Sequence, residues 1–147
     1  FTTKEIASSL GEMEWFSSTG GNPVSCAIGN AVLDVIEDEA LQEQAREYGE
    51  YFLNGLQKLK ETYPVIGDVR GRGLFIGFEL VRDRVTLEPD TEEADRVVRE
   101  MRERGVLLST DGPHHNVIKI KPPMVLTKED IDMTLDLLND VLSTYGD

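Results

Sequence analysis

Hydrophobic spacing divides the chain into helical and extended stretches. Leu41, Ala45, Tyr48, Phe52, Leu56 and Leu59 recur at steps of three and four, the period of one helix face. They predict a long amphipathic helix from Leu41 to Thr62, closed by Pro64. The period then changes to two. Val65–Val69 and Leu74–Val81 read as strands, and in the second Leu74, Ile76, Phe78 and Leu80 share the core-facing side. Gly77, on the other side, suggests close approach by another backbone. Arg70-Gly71-Arg72-Gly73 joins the two strands.

Beyond a charged link from Arg82 to Pro89, Asp90 or Thr91 caps a helix running to about Arg104, with Ala94, Val97, Val98 and Met101 as a thin apolar face. Gly105 ends it. Val106–Leu108 reads as a short strand, Asp111–His115 as a loop, and Val117–Lys121 as an alternating strand broken by Pro122-Pro123. Thr127 and Asp130 form an acidic capping box for a final helix with Ile131, Leu135, Leu138, Leu142 and Tyr145 inward. Upstream, Thr2 with Glu5 predicts a capped short helix through Leu10, stopped by Gly11. Glu14-Trp15-Phe16 reads as an extended piece anchored by burial of its aromatics. Asn22 and Pro23 open a helix from Val24 to Ile36 that is apolar on several sides, the pattern of a buried helix. The order of elements predicts an α/β chain of the α+β kind: a small, mostly antiparallel sheet of about four strands packed with helices.

Composition narrows the partners. The chain has 147 residues, enough for one real core, and a formal net charge of −13. That charge argues against nucleic acid and against anionic membranes. No run of about 18 apolar residues is present, so no membrane span is expected. No signal peptide is visible. Cys26 is the only cysteine, which rules out an intrachain disulfide and points to a reducing, cytoplasmic setting. Its place in the apolar helix reads as a buried small hydrophobe.

Three stretches offer chemistry. Ser17-Ser18-Thr19-Gly20-Gly21-Asn22-Pro23 combines hydroxyls, a glycine pair and a helix start. That can cradle a phosphate, or it can simply be a capped helix start after a tight turn. Arg70 and Arg72 can bind an oxyanion, or can face acidic helices beside a glycine-rich hairpin. Lys119 and Lys121 alternate with Ile118 and Ile120, so they share a face, exposed to solvent or turned toward an anion. His114 and His115 lie in a loop without Cys or carboxylate at ligand spacing, and no metal site is predicted. No Ser/His/Asp order with a nucleophile elbow is present.

Taken in order, Ser-Ser-Thr-Gly-Gly-Asn-Pro-Val-Ser-Cys-Ala, Ile-Gly-Asp-Val-Arg-Gly-Arg-Gly-Leu-Phe-Ile-Gly, Leu-Leu-Ser-Thr-Asp-Gly-Pro and Ile-Lys-Pro-Pro-Met resemble the C-terminal part of class-III pyridoxal-phosphate aminotransferases. The likeness is greatest to the alanine–glyoxylate aminotransferase 2-like branch. That branch includes phospholyases acting on phosphoethanolamine and phosphohydroxylysine. The resemblance covers essentially the whole chain. It implies the small C-terminal domain of a fold-type-I enzyme over residues 39–147, with residues 1–38 as the tail of the large cofactor-binding domain and a linking helix.

The resemblance also implies site residues. The hydroxyl that reaches the cofactor phosphate, typically in the neighbouring subunit of a homodimer, falls on Ser18, with Ser17 the weaker candidate. Many family members bind the substrate carboxylate with an arginine three residues before Pro-Pro. Here that residue is Lys119, a point charge in place of a bidentate fork, and the phospholyase-like branch gains weight from it. Arg70 is expected to be structural or to border the site. The Schiff-base lysine belongs to a Gly-Lys stretch that nothing here matches, so no catalytic residue is expected in this chain. The resemblance makes Phe1 an internal residue of a longer parent. That parent is expected to use pyridoxal 5'-phosphate on a small amino substrate, by amino-group transfer or, alternatively, by phosphate elimination. The isolated chain is expected to be inactive. A non-catalytic module that binds an anion or a partner through the glycine loop is the remaining reading.

Overall fold

The computed structural model describes residues 2–12 and 17–145. Glu14, Trp15 and Phe16, expected as a buried extended piece, lie outside the described residues. The chain divides into two units, Phe1–Asp38 and Glu39–Asp147.

The first unit holds two helices. α1 (Lys4–Leu10) is capped by Thr3, whose side chain accepts from the Ile6 amide, and not by Thr2. The one-residue shift puts Ile6 where the returning carboxylate of a capping box belongs, so the box does not form. α2 (Pro23–Asp38) starts as predicted, with Asn22 Oδ1 accepting from Val24 N (2.9 Å) and Ser25 N (3.3 Å). Its expected burial is not seen. No α2 residue is buried, Val24 and Ile28 are 68% and 61% exposed, and Cys26 is exposed rather than a core hydrophobe. A residue pattern records that a helix can be buried on several sides. Burial itself needs a covering surface, and seven-residue α1 buries nothing of its own.

The second unit runs α3 (Leu41–Thr62), β1 (Ile66–Arg72), β2 (Phe75–Asp83), β3 (Glu88–Pro89), α4 (Thr91–Glu103), β4 (Ser109–Asp111), β5 (Val117–Ile120) and α5 (Lys128–Leu142). The strands form one antiparallel sheet of order β1-β2-β5-β4, with β3 paired to β2. The sheet thus has five strands, one more than predicted. Alternation along it is strict where it matters. Val69, Ile76, Phe78, Leu80, Ile118 and Ile120 are buried and join one core with Phe52, Leu56 and Leu59 of α3, Ala94, Val97 and Met101 of α4, and Ile131, Leu138 and Val141 of α5. The helices therefore cover one face of the sheet. The opposite face carries Arg70, Arg72, Phe75, Gly77, Lys119 and Lys121.

Three local expectations need correction. Arg70–Gly73 is not all connection between strands: β1 continues past Val69 to Arg72, Arg70 pairs with Gly77 and Arg72 with Phe75. The reversal falls on Gly73 and Leu74, and Gly73 supplies the left-handed φ of +54°. Val106–Leu108 is not a strand. The Val106 amide turns back to the Met101 carbonyl (2.9 Å), Gly105 has φ +90°, and Leu107 is 82% exposed. This glycine-terminated helix end delays the strand to Ser109. Tyr145 lies outside α5 and 40% exposed, but its hydroxyl donates to Asp90 Oδ2 (3.1 Å), tying the chain end to the start of α4. The capping box at Thr127 and Asp130 forms as predicted.

Candidate functional site

The loop before α2 separates its two hydroxyls by role. Ser17 Oγ accepts from Gly20 N (3.0 Å) and lies 3.3 Å from Thr19 Oγ1, so it braces the turn. Gly21 then takes φ +76°. Pro23 has no amide proton, and Asn22 accepts the next two. The donors at the tip of α2 are consequently occupied, and a bare helix-end cradle is not what this loop offers. Ser18 is exposed, and its hydroxyl has no partner among the described residues. The position the resemblance selects thus carries a hydroxyl that is not engaged within the loop.

Lys119 belongs to the second unit and lines an open cleft of about 390 Å³ on the uncovered face of the sheet. Strand register builds the cleft. Arg70, Gly77 and Lys119 form one row across β1, β2 and β5; Ser109 of β4 continues it. Arg72 pairs with Phe75 in the next row, where Phe75 is 62% exposed and carries Lys121 Nζ 5.5 Å from its ring centroid. On the other side of the central row, Glu79 pairs with Asp68 and Val117, and Val117 with Asp111. The cleft is a cationic row with an open floor at Gly77, bordered by carboxylates on one side and by an aromatic ring on the other.

The charges are fixed by contact. Lys119 Nζ donates to Asp111 Oδ2 (2.9 Å), and this bond holds the Asp111 carboxyl below its ordinary range, with help from the Gly112 amide. Arg70 Nη1 donates to Asp68 Oδ2 (2.6 Å) and Glu79 Oε2 (3.0 Å). The Asp68 carboxyl is lowered chiefly by that bond, against some desolvation. Arg72 has no ion-pair partner among the described residues. His114 and His115 are exposed and do not line the cleft; the His114 carbonyl accepts from Thr91 Oγ1 (2.6 Å). Among the described residues, no three His, Cys, Asp or Glu side chains gather as a metal site requires, and no helix is long and apolar enough to cross a membrane.

Sequence reasoning placed Lys119 and Lys121 on one strand face, open to solvent or to an anion, and missed Asp111 as the partner of Lys119. The signal was hidden because Ser109–Asp111 was not predicted to pair with Val117–Ile120. Phe75 was read only as the outward side of a strand, whereas Gly77 was read as a point of close backbone approach, and a Cβ there would lie 3.3 Å from the Ile118 carbonyl oxygen.

A family model described as aminotransferase class-III matches residues 1–142. An alanine–glyoxylate aminotransferase 2-like protein of Drosophila melanogaster is 50% identical over 134 residues, 89% of this chain and 27% of that protein. A phospholyase from Arthrobacter, solved in complex with phosphoethanolamine, superposes with a TM-score of 0.87 at 37% identity, over 97% of this chain and 34% of that one. An amine transaminase from an uncultivated Pseudomonas species, in its PLP-bound form, gives a TM-score of 0.76 at 33% identity, over 95% of this chain and 33% of that one. The chain spans 27% to 31% of the length of the first curated relatives it matches.

Proposed function

The chain belongs to the class-III aminotransferase family, and from that premise we propose that it is the C-terminal part of a pyridoxal-phosphate enzyme that transfers amino groups. In this reading Glu39–Asp147 is the small domain and Phe1–Asp38 the tail of the large one. The observation that carries it is the cleft on the uncovered sheet face, where the Lys119 ammonium stands beside the exposed Phe75 ring and would meet the anionic end of a small substrate. The helices behind the sheet hold that wall rigid, because every second residue of β2 and β5 is locked in the core.

The cofactor fits the loop of the first unit through one contact. Ser18 would hold a phosphate oxygen of pyridoxal 5'-phosphate, while Ser17 keeps the turn in shape. When bound, that cofactor supplies an electron sink for bond breaking at the amino-bearing carbon. This chain's part is to bind and orient. Lys119 holds the substrate's anionic end, and Asp111 holds the Lys119 ammonium over the cleft. Catalytic proton transfer is assigned to no residue of this chain. The protein acts as a homodimer in the cytoplasm, each loop serving the neighbouring subunit's cofactor.

A second reading, phosphate elimination from an amino-alcohol phosphate, is favoured by one specific feature. Lys119 presents a compact ammonium already paired to a carboxylate, where a carboxylate-binding arginine would present a planar fork. The experiment is turnover by the full-length protein loaded with cofactor, assayed for amino transfer to a keto acid and for phosphate release from phosphoethanolamine. Transfer supports the first reading and phosphate release the second. The 147-residue chain with added cofactor is expected to do neither, and turnover by it alone would contradict both.

A further inference from the structure

Arg70 reads from the sequence as a structural or bordering residue, but its contacts give it another role. The two carboxylates that hold it, Asp68 at 2.6 Å and Glu79 at 3.0 Å, accept from the same nitrogen, Nη1. Nε and Nη2 have no hydrogen-bond partner among the described residues. A guanidinium pinned at one corner keeps its Nε–Nη2 edge, the fork that meets an oxyanion through two parallel bonds. The pin also removes freedom that a loose arginine would lose on binding.

Strand register sets this residue opposite Lys119. Arg70 pairs with Gly77, and Gly77 with Lys119, so their Cα atoms stand about 10 Å apart, two strand spacings. Gly77 lies between them with no side chain. Its φ is outside the left-handed region, so the backbone does not demand glycine there. A Cβ at Gly77 would lie 3.3 Å from the Ile118 carbonyl oxygen and 3.4 Å from Val117 Cγ1, tight but short of overlap. What glycine does at this position is keep the floor open between two cations. Arg70, Arg72, Lys119 and Lys121 border the site against Asp68, Glu79 and Asp111, leaving one positive charge in excess, which suits a single head group rather than a polyanion.

We propose that Arg70 and Lys119 together seat the oxyanion group of the substrate over Gly77, Arg70 through its free fork and Lys119 as a point charge. The proposal rests on the reading of this cleft as the substrate wall. The oxyanion is a phosphate monoester or a carboxylate, and the two are separated by the ligand used.

The test titrates the ¹⁵N-labelled 147-residue chain with O-phosphoethanolamine and, separately, with alanine, following the Gly77 amide by NMR. Variants are Arg70→Gln, Arg70→Lys, Lys119→Gln and Gly77→Ala, with Lys58→Gln on α3 as a control and thermal melts confirming the fold. Saturable movement of the Gly77 amide is expected. Arg70→Gln and Lys119→Gln should each weaken binding about tenfold. Gly77→Ala should weaken it as well. Arg70→Lys keeps the charge without the fork and should weaken binding too, and it carries the test if Arg70→Gln does not fold. Preference for O-phosphoethanolamine assigns a phosphate, and preference for alanine a carboxylate; either supports the pair. Loss with Lys119→Gln but none with either Arg70 variant overturns the proposal and leaves the cleft reading standing. No movement at Gly77, or equal weakening by Lys58→Gln, overturns both.

Discussion

Two glycines on α3 allow steric and conformational effects to be separated. Ala in place of Gly within a helix stabilises it by about 0.8–1 kcal/mol, so Gly49→Ala and Gly55→Ala carry the same intrinsic gain. Their neighbours differ. A Cβ at Gly49 would lie 2.8 Å from Gly73 Cα and closer still to the Gly73 carbonyl, whereas the three atoms nearest to one at Gly55 all belong to the Leu135 side chain, Cδ2 at 2.9 Å and Cδ1 closer still. Ordinary contact begins at 3.4 Å. Leu135 is half-buried and can change rotamer; Gly73 is the left-handed residue of the β1–β2 turn and cannot move alone. Overpacking of this kind costs about 1–3 kcal/mol, and the backbone clash puts Gly49→Ala at the upper end. We therefore expect Gly49→Ala to lose about 1–2 kcal/mol net, and Gly55→Ala to change stability by less than about 1 kcal/mol. Urea unfolding of both variants, compared by midpoint at constant slope, reads the difference. The displaced turn carries Arg72 and Phe75 on its two sides, so Gly49→Ala should also shift their amide resonances. A Gly49→Ala chain as stable as Gly55→Ala, with unmoved turn resonances, would refute the idea that α3 seats the hairpin through backbone contact.

Other expectations follow from single contacts. Asp111 is held ionised by Lys119, so its carboxyl should titrate below the ordinary aspartate range in the folded chain. Because the folded value is the lower one, the pair's contribution is complete above about pH 4 and is lost as pH falls through the folded value; Lys119→Gln should raise the Asp111 midpoint, as carboxyl-detected NMR will show. Asn116 is 2% exposed and donates from Nδ2 to the Leu80 carbonyl (2.8 Å), which also accepts from Asp90 N (3.1 Å). Nδ2 also donates to Glu79 Oε1 (3.3 Å); in Asn116→Ala the Leu80 carbonyl keeps its Asp90 bond and Glu79 its Arg70 bond, so the loss in urea unfolding should be nearer about 1 than 3 kcal/mol. In the full-length protein, Ser18→Ala should weaken cofactor binding by about 1.5–3 kcal/mol, measured by equilibrium dialysis. Ser17→Ala should instead act through the loop, moving the Gly20 amide resonance.

Much of this was legible because it depends on spacing. The three- and four-residue steps from Leu41 to Leu59 located α3 at about its observed bounds, and the two-residue alternation of Ile76, Phe78 and Leu80 named the core side of β2. Asn22-Pro23 and Thr127-Lys128-Glu129-Asp130 gave helix starts through side-chain bonds that are local in sequence. What stayed hidden depends on distant partners. Nothing near Arg72 shows that β1 runs past Arg70 until Phe75 is paired with it. Ser109–Asp111 is a strand only because β5 supplies the other half of the ladder, and without that pairing Asp111 cannot be seen beside Lys119. The apolar pattern of α2 was read correctly as a pattern and wrongly as burial, since exposure is decided by what covers a helix. At the site, the residue types at Ser18 and Lys119 were visible, but the division of labour between Ser17 and Ser18 required the Gly20 hydrogen bond.

In the proposed function the cleft of the uncovered sheet face holds the substrate's anionic end. Steady-state kinetics of the full-length, cofactor-loaded protein with Lys119→Gln test this most directly. The KM for the anionic amino substrate is expected to rise about tenfold or more, from loss of one charge-assisted contact, with cofactor occupancy unchanged. A KM equal to that of the unaltered protein would contradict it.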